Sequence, residues 1–266
     1  MINILKSLNY GARREKVIWI TLGSMLVLPF FAMYLMGMMG GDSLQKMTTS
    51  FYFASQLMGV IFIITFFGII VLAGYLVAGD GGDKVINYEI LAGHSRTKIF
   101  IARMLAGFLW GGVLTFLLML LPLGYLTFLY GWGLETDPKN VILRCLLTFF
   151  PILRFCVFNM MLACIMRSAG KGIALGYVTF MITALVNSIL EDMFQLNLIY
   201  HTSMTNAAFL LTSQNARNVV MNGKTVALYE TAVTPDMVYR TIGVSLAFTA
   251  AYLSIAYIHF KKKDKD

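Results

Sequence analysis

Charge is scarce in this chain. Only 13% of its 266 residues are charged, against 58% hydrophobic, which excludes an ordinary water-soluble domain, where about a quarter of residues carry charge. Acidic residues number thirteen, and each falls in a loop, at the end of an apolar run or in a tail. Proton- and sodium-coupled carriers usually need an intramembrane carboxylate or a broken-helix ion site, so a secondary transporter is disfavoured. The three histidines, His94, His201 and His259, lie in separate segments, and none has a partner at i+4 that could share a metal. Cys145, Cys156 and Cys164 are an odd number confined to one apolar run, without metal-binding spacing, and read as small buried hydrophobes. A phosphate-binding loop is also missing. Asn222-Gly223-Lys224-Thr225 resembles the end of one, but Asn218 stands where the first glycine belongs. Flanked by Val219-Val220-Met221 and Val226-Ala227-Leu228, the Asn-Gly pair reads as a hairpin turn. Nor do the apolar runs hold the paired carboxylates, Ser/Lys dyad or His-Glu motif of an intramembrane protease. We expect no catalytic residue, no metal and no cofactor in this chain.

Long apolar runs are abundant. Six of them, about 17–39, 53–78, 99–130, 141–166, 172–190 and 238–260, have the roughly 20 residues a helix needs to cross about 30 Å of hydrocarbon. Pro122 predicts a kink or break in the third. Nothing between them is long or polar enough for a soluble domain, so residues 1–266 read as one all-α integral membrane domain. With the N-terminus inside, cytoplasmic segments hold fourteen of the 21 Lys and Arg. This bias places both termini in the cytoplasm of a multi-pass cell-membrane protein. Arg103 counts among the cytoplasmic cations, Arg144 among the external ones, and Arg154 stands alone inside a span. The net charge of +8 needs no nucleic-acid partner to explain it. Residues 1–16 carry cations without a cleavage site. They place Ile4, Leu5, Leu8 and Ala12 opposite Lys6, Arg13 and Arg14, as an interfacial helix or a plain basic flank would.

Between the second and third spans, residues 80–98 are too polar to cross a bilayer and too patterned for a plain loop. Gly93 is placed to end a short apolar helix in a left-handed cap, and Ser95 to cap the next helix. The result is a helix-turn-helix corner at the membrane surface.

The run Tyr88-Glu89-Ile90-Leu91-Ala92-Gly93-His94-Ser95-Arg96-Thr97-Lys98-Ile99-Phe100-Ile101-Ala102-Arg103 resembles the first cytoplasmic loop of type-2 ABC transporter permeases. In that family a Glu-containing short helix, a small-residue turn with Ser-Arg and an Ile-aromatic-basic run open the third span. The resemblance is detailed over about 25 residues, and the six-span topology, the N-terminal helix and the long 191–237 segment extend it. It implies two cytoplasmic ABC ATPase subunits carrying ATP and Mg, and a second permease subunit, alike or different. It also makes 84–92 a coupling helix docked in the ATPase through Lys84, Val85, Ile86, Tyr88, Glu89, Ile90 and Leu91. Glu89 would pair with an ATPase cation or with Arg96, or meet only water. The apolar residues run nearly all round that helix, as in an element buried on several sides.

Arg154 has two readings: contact with an anionic part of a cargo, or a structural pair with Glu191, Asp192 or carbonyls freed by Pro151. The pairs Gly107/Gly111 and Gly172/Gly176 let helices approach closely, within the subunit rather than at a dimer seam. Abundant Met and Phe suit a path for an apolar or amphiphilic cargo, or ordinary lipid-facing filler. In the external segment 191–237, the clusters 196–199 and 207–211 suggest short helices. The function expected is a bacterial ATP-driven exporter permease for a peptide antibiotic or drug. The alternative is an ATPase-independent scaffold or channel subunit.

Overall fold

A computed structural model describes residues 2–39, 48–54, 57–78, 90–91, 93–194, 199–211, 216–221 and 224–262. Helix α1 (Ile2–Arg14) precedes α2 (Lys16–Met39), the short α3 (Thr49–Ala54) and α4 (Leu57–Ala78). Next comes α5 (Arg96–Gly107), which runs through a π-helical stretch, Phe108–Leu114, into α6 (Thr115–Tyr130). Helices α7 (Pro138–Leu147), α8 (Phe149–Met166), α9 (Ala169–Phe194), α10 (Ser203–Leu211) and α11 (Pro235–Lys262) complete the bundle. Six stretches are long and apolar enough to cross a membrane: Lys16–Leu35, Ile61–Ala78, Arg96–Tyr130, Pro138–Met166, Ala169–Glu191 and Pro235–Lys261. They match the six expected spans, and the all-α membrane class holds.

Helix α4 has no charged residue and is apolar on every side, the pattern of a helix enclosed by others. It sits at the centre against α2, α8 and α9, and α8 also carries α11. In α4, 78% of the spanning stretch is buried, against 17% in α9 and 22% in α11. Those two helices therefore leave broad apolar faces, as a bilayer requires. Phe66 of α4 stacks on Phe155 of α8 at 4.3 Å between centroids, with Phe180 of α9 beside both. The glycine pairs mark close approaches within this bundle. A Cβ on Gly172 would lie 2.9 Å from the Ala163 backbone, and one on Gly111 would lie 3.2 Å from Cys156 Sγ. Cys145 and Cys156 are buried and Cys164 half-buried, all three as free thiols.

Pro122 does not break the third span. Helix α6 continues through Pro122 to Tyr130, because neighbouring helices in a membrane can absorb one missing N–H. The irregularity lies earlier, at Phe108–Leu114. Gly111 and Gly112 offer no Cβ to resist the wider π turn. Thr115 Oγ1 then donates to the carbonyls of Gly111 (2.6 Å) and Gly112 (3.1 Å), occupying acceptors where α geometry resumes. In the fourth span the irregularity is a single turn residue, Thr148, between α7 and α8, which keeps right-handed helical angles and the bonds Thr148 N–H to Arg144 O and Ile152 N–H to Thr148 O. Pro151 has no N–H for the Leu147 carbonyl, and its ring crowds that oxygen.

At the end of the bundle away from the termini, the chain folds back on itself. Thr49 and Ser50 of α3 bond Thr127 Oγ1 and Thr136 Oγ1, each at 2.8 Å. Asp137 caps α7, accepting from Lys139 N, with Pro138 at the first helical position. Strands β1 (Ala216–Met221) and β2 (Lys224–Tyr229) pair antiparallel from Ala216↔Tyr229 to Met221↔Lys224. That register leaves a two-residue connection at Asn222-Gly223, the loop length the hairpin signature predicts. The expected helix at 207–211 is present as α10. Residues 196–198 of the other expected cluster lie outside the described residues.

Filling the α8–α9 contact checks this packing. Gly172→Leu should lower stability in detergent by about 1–3 kcal/mol through overpacking. Gly170, whose Cβ would meet nothing within 4 Å, should accept Ala without loss in the same thermal-unfolding assay.

Candidate functional site

The loop between α4 and α5 is described only near its exit. Lys84, Val85, Ile86, Tyr88 and Glu89 lie outside the described residues. Ile90 and Leu91 are helical, and Gly93 follows in the left-handed region at φ +84°, donating its N–H to the Ile90 carbonyl at 2.9 Å. A side chain is rarely tolerated at that φ, which is why a glycine closes the turn. Ser95 has the extended backbone of an N-cap, yet its hydroxyl makes no cap bond. Its carbonyl accepts the Ile99 N–H instead, at 3.1 Å. Arg96 stands half-buried at the start of α5.

Ile90 and Leu91 face different ways, as residues of a helix apolar nearly all round would. Ile90 packs on a cluster of Ile4, Ile99 and Ala102, with Leu8 and Phe260 alongside. Leu91 is 81% exposed. Neighbouring helical positions diverge in direction, so one can close an internal cluster while the next points outward.

The base of this loop is fixed to three elements. Arg103, buried in α5, donates Nη1 to the Val77 carbonyl at 3.0 Å. This cation meets the last turn of α4, where the helix presents unpaired carbonyls and a partial negative charge. On α11, Tyr257 and Phe260 hold Phe100 at ring distances of 5.3 and 5.5 Å, and Thr97 bonds Tyr257 at 3.2 Å. On α1, Ile4 joins the Ile90 cluster, and Asn9 Oδ1 accepts from Trp110 Nε1 at 3.1 Å. A push on the loop would therefore reach α1, α4, α5 and α11 together.

Two more buried arginines hold the chain between α9 and α11. Arg144 donates Nε to the Thr231 carbonyl (2.9 Å), Nη2 to Ala232 (3.1 Å) and Nη1 to Phe209 (3.5 Å). Arg154 donates to the carbonyls of Tyr200 and His201 and lies 4.1 Å over the Phe248 ring. Asn187 Nδ2 reaches Thr202 Oγ1 at 3.0 Å from α9, and Thr241 Oγ1 reaches Asn206 Oδ1 at 3.4 Å from α11. Arg103 and Arg144, which count among the cytoplasmic and external cations by sequence, are buried like Arg154. The signal was available for Arg144, which stands between Val141-Ile142-Leu143 and Cys145-Leu146-Leu147. Charge counting by segment hid it. The carbonyls that Arg154 meets lie 46 and 47 residues onward, just before α10, rather than in the Pro151 neighbourhood.

Residues 12–187 match the family described as ABC-2 family transporter protein, from the end of α1 through most of α9. Neither the curated proteins nor the solved structures give a match.

The split between Ile90 and Leu91 has a direct test. Ile90→Asp puts a carboxylate among Ile4, Ile99 and Ala102 and should destabilise the purified chain by on the order of 1–3 kcal/mol. Leu91→Asp, facing solvent, should leave its melting temperature unchanged. Equal effects in thermal unfolding would contradict the two orientations.

Proposed function

Because the chain belongs to the ABC-2 family of transporter proteins, we propose that this transmembrane transport component is the permease of an ATP-driven exporter. The observation that carries the reading is the anchored base of the 79–95 loop. Arg103 ties it to α4, the Ile90 cluster to α1, and Phe100 with Thr97 to α11. A loop so rooted passes displacement into several helices at once. Leu91 stands outward beside it as a contact for a partner.

Two cytoplasmic ABC ATPases supply the energy, binding ATP and Mg that this subunit does not hold itself. A second permease, identical or different, completes the pathway. Closure of the ATPases on ATP pushes the 84–92 segment, in which Lys84, Val85, Ile86, Tyr88, Glu89 and Leu91 make the contact and Arg96 lies at its edge. Ile90 transmits the push inward rather than touching the ATPase. The helices then exchange access from one face of the cell membrane to the other. Exposed aromatic and methionine side chains such as Phe31, Tyr34, Met181 and Met193 suit a hydrophobic or amphiphilic cargo, for which a bacterial peptide antibiotic or drug is the working class.

Co-purification tests the reading. Leu91→Asp and Ile86→Asp should leave the chain in the membrane and folded but lose the ATPase, since an unpaired charge in a buried contact costs several kcal/mol. Full retention of the ATPase by both variants, with normal transport, would favour the scaffold or channel alternative.

Orientation is tested separately. In a background without Cys145, Cys156 and Cys164, single cysteines at Ser43, Lys139 or Lys224 should label from outside intact cells. Cysteines at Asp83 or Lys262 should label only after permeabilisation, as cytoplasmic termini and a cytoplasmic coupling loop require. The reversed pattern would refute the assignment.

A further inference from the structure

Beside Arg154 lies a cavity of about 230 Å³ between α8, α9, α11 and the chain entering α10. Its walls are Phe155, Phe158 and Phe180, with the Thr179 and Thr183 hydroxyls on one side and the Phe248 ring on the other. Arg154 is only 3% exposed and forms part of the lining. The two carbonyls it meets use two of the five N–H groups of its guanidinium. The Tyr252 hydroxyl, also on the lining, is its one further hydrogen-bonding neighbour among the described residues. Carbonyl and hydroxyl oxygens satisfy donors without cancelling charge, and among the described residues no carboxylate pairs with Arg154, so its positive charge faces a largely apolar chamber inside a membrane span. Such a charge is costly to keep, and an intramembrane ionisable group of this kind marks a site for an opposite charge. Phe248 is 40% exposed and His201 is exposed too, so the chamber is reachable from the surface.

We propose that this cavity binds a carboxylate-bearing amphiphile, its carboxylate against the remaining N–H edge of Arg154 and its apolar body among Phe155, Phe158 and Phe180. A planar carboxylate matches the guanidinium fork, and the aromatic walls supply the apolar contact that fixes the rest. The volume suits a small aromatic or short-chain acid, or the headgroup end of a longer one. This deepens the transport reading by giving the cargo a chemical class. It rests on that reading only for calling the ligand cargo.

Calorimetric titration of the full chain in detergent, without any ATPase, tests the proposal with 4-phenylbutyrate as probe and neutral 4-phenylbutyramide as its control. The acid should bind more tightly than the amide by roughly tenfold to a hundredfold, the worth of one charge-assisted hydrogen bond. Arg154→Gln should remove that preference. If its lost loop contacts prevent folding, Thr183→Trp serves instead: it fills the chamber, leaves Arg154 and its carbonyls in place, and should abolish binding of the acid. Equal binding of acid and amide, or unchanged affinity in Thr183→Trp, overturns the proposal. Tighter binding of 4-phenylbutyl phosphate than of the acid overturns the carboxylate assignment. None of these results depends on the ATPase, so failure here and failure of co-purification are distinguishable.

Discussion

The architecture depends on guanidinium groups buried inside spans and bonded to main-chain carbonyls. Arg103 fastens the end of α4 to α5 through Val77, while Arg144 and Arg154 fasten the chain around α10 to α7 and α8. A buried arginine with unsatisfied donors carries a desolvation penalty of several kcal/mol. A carbonyl in an irregular segment has the complementary problem at membrane depth. Each solves the other's difficulty. The irregular segment between α9 and α11 can therefore sit against the bundle, and the polar loop leaving α4 has a rigid stem.

These contacts divide the molecule into two active ends. At the end bearing the termini, the loop stem gathers α1, α4, α5 and α11. At the other end, α10 and its flanks are held by the guanidinium groups of Arg144 and Arg154. The span joining them, α5 to α6, contains the Phe108–Leu114 π segment against Ala73 and Cys156. Such segments accumulate at functional sites because their turns have an alternative α geometry close by.

Cargo recognition follows a different physical logic from coupling. Coupling requires packed, mutually satisfied contacts that transmit force. In the proposed carboxylate site, recognition would draw on the charge of Arg154, which the carbonyls of Tyr200 and His201 do not cancel. The same residue anchors Tyr200 and His201 and lines the chamber. Occupancy of the chamber would then bear directly on how firmly the neighbouring segment is held.

Six spans, the hairpin at Asn222-Gly223, the glycine turn at Gly93 and the close helix contacts at Gly111 and Gly172 were all determined by the sequence itself. Each follows from a local constraint: apolar length against bilayer thickness, a two-residue turn chemistry, a positive φ, a missing Cβ. The 80–98 loop stood out by its order of residues, and its coupling role came from the family resemblance; Lys84, Val85, Ile86, Tyr88 and Glu89 lie outside the described residues. Only tertiary structure decided what the buried cations do, because the partners of Arg144 and Arg154 lie 46 to 88 residues away and are main-chain oxygens, which carry no sequence signature. It likewise separated Ile90 from Leu91, since an apolar residue reads the same whether its own fold or a partner covers it. Pro122 shows the reverse case: the sequence allowed a break there, and the helix runs through it.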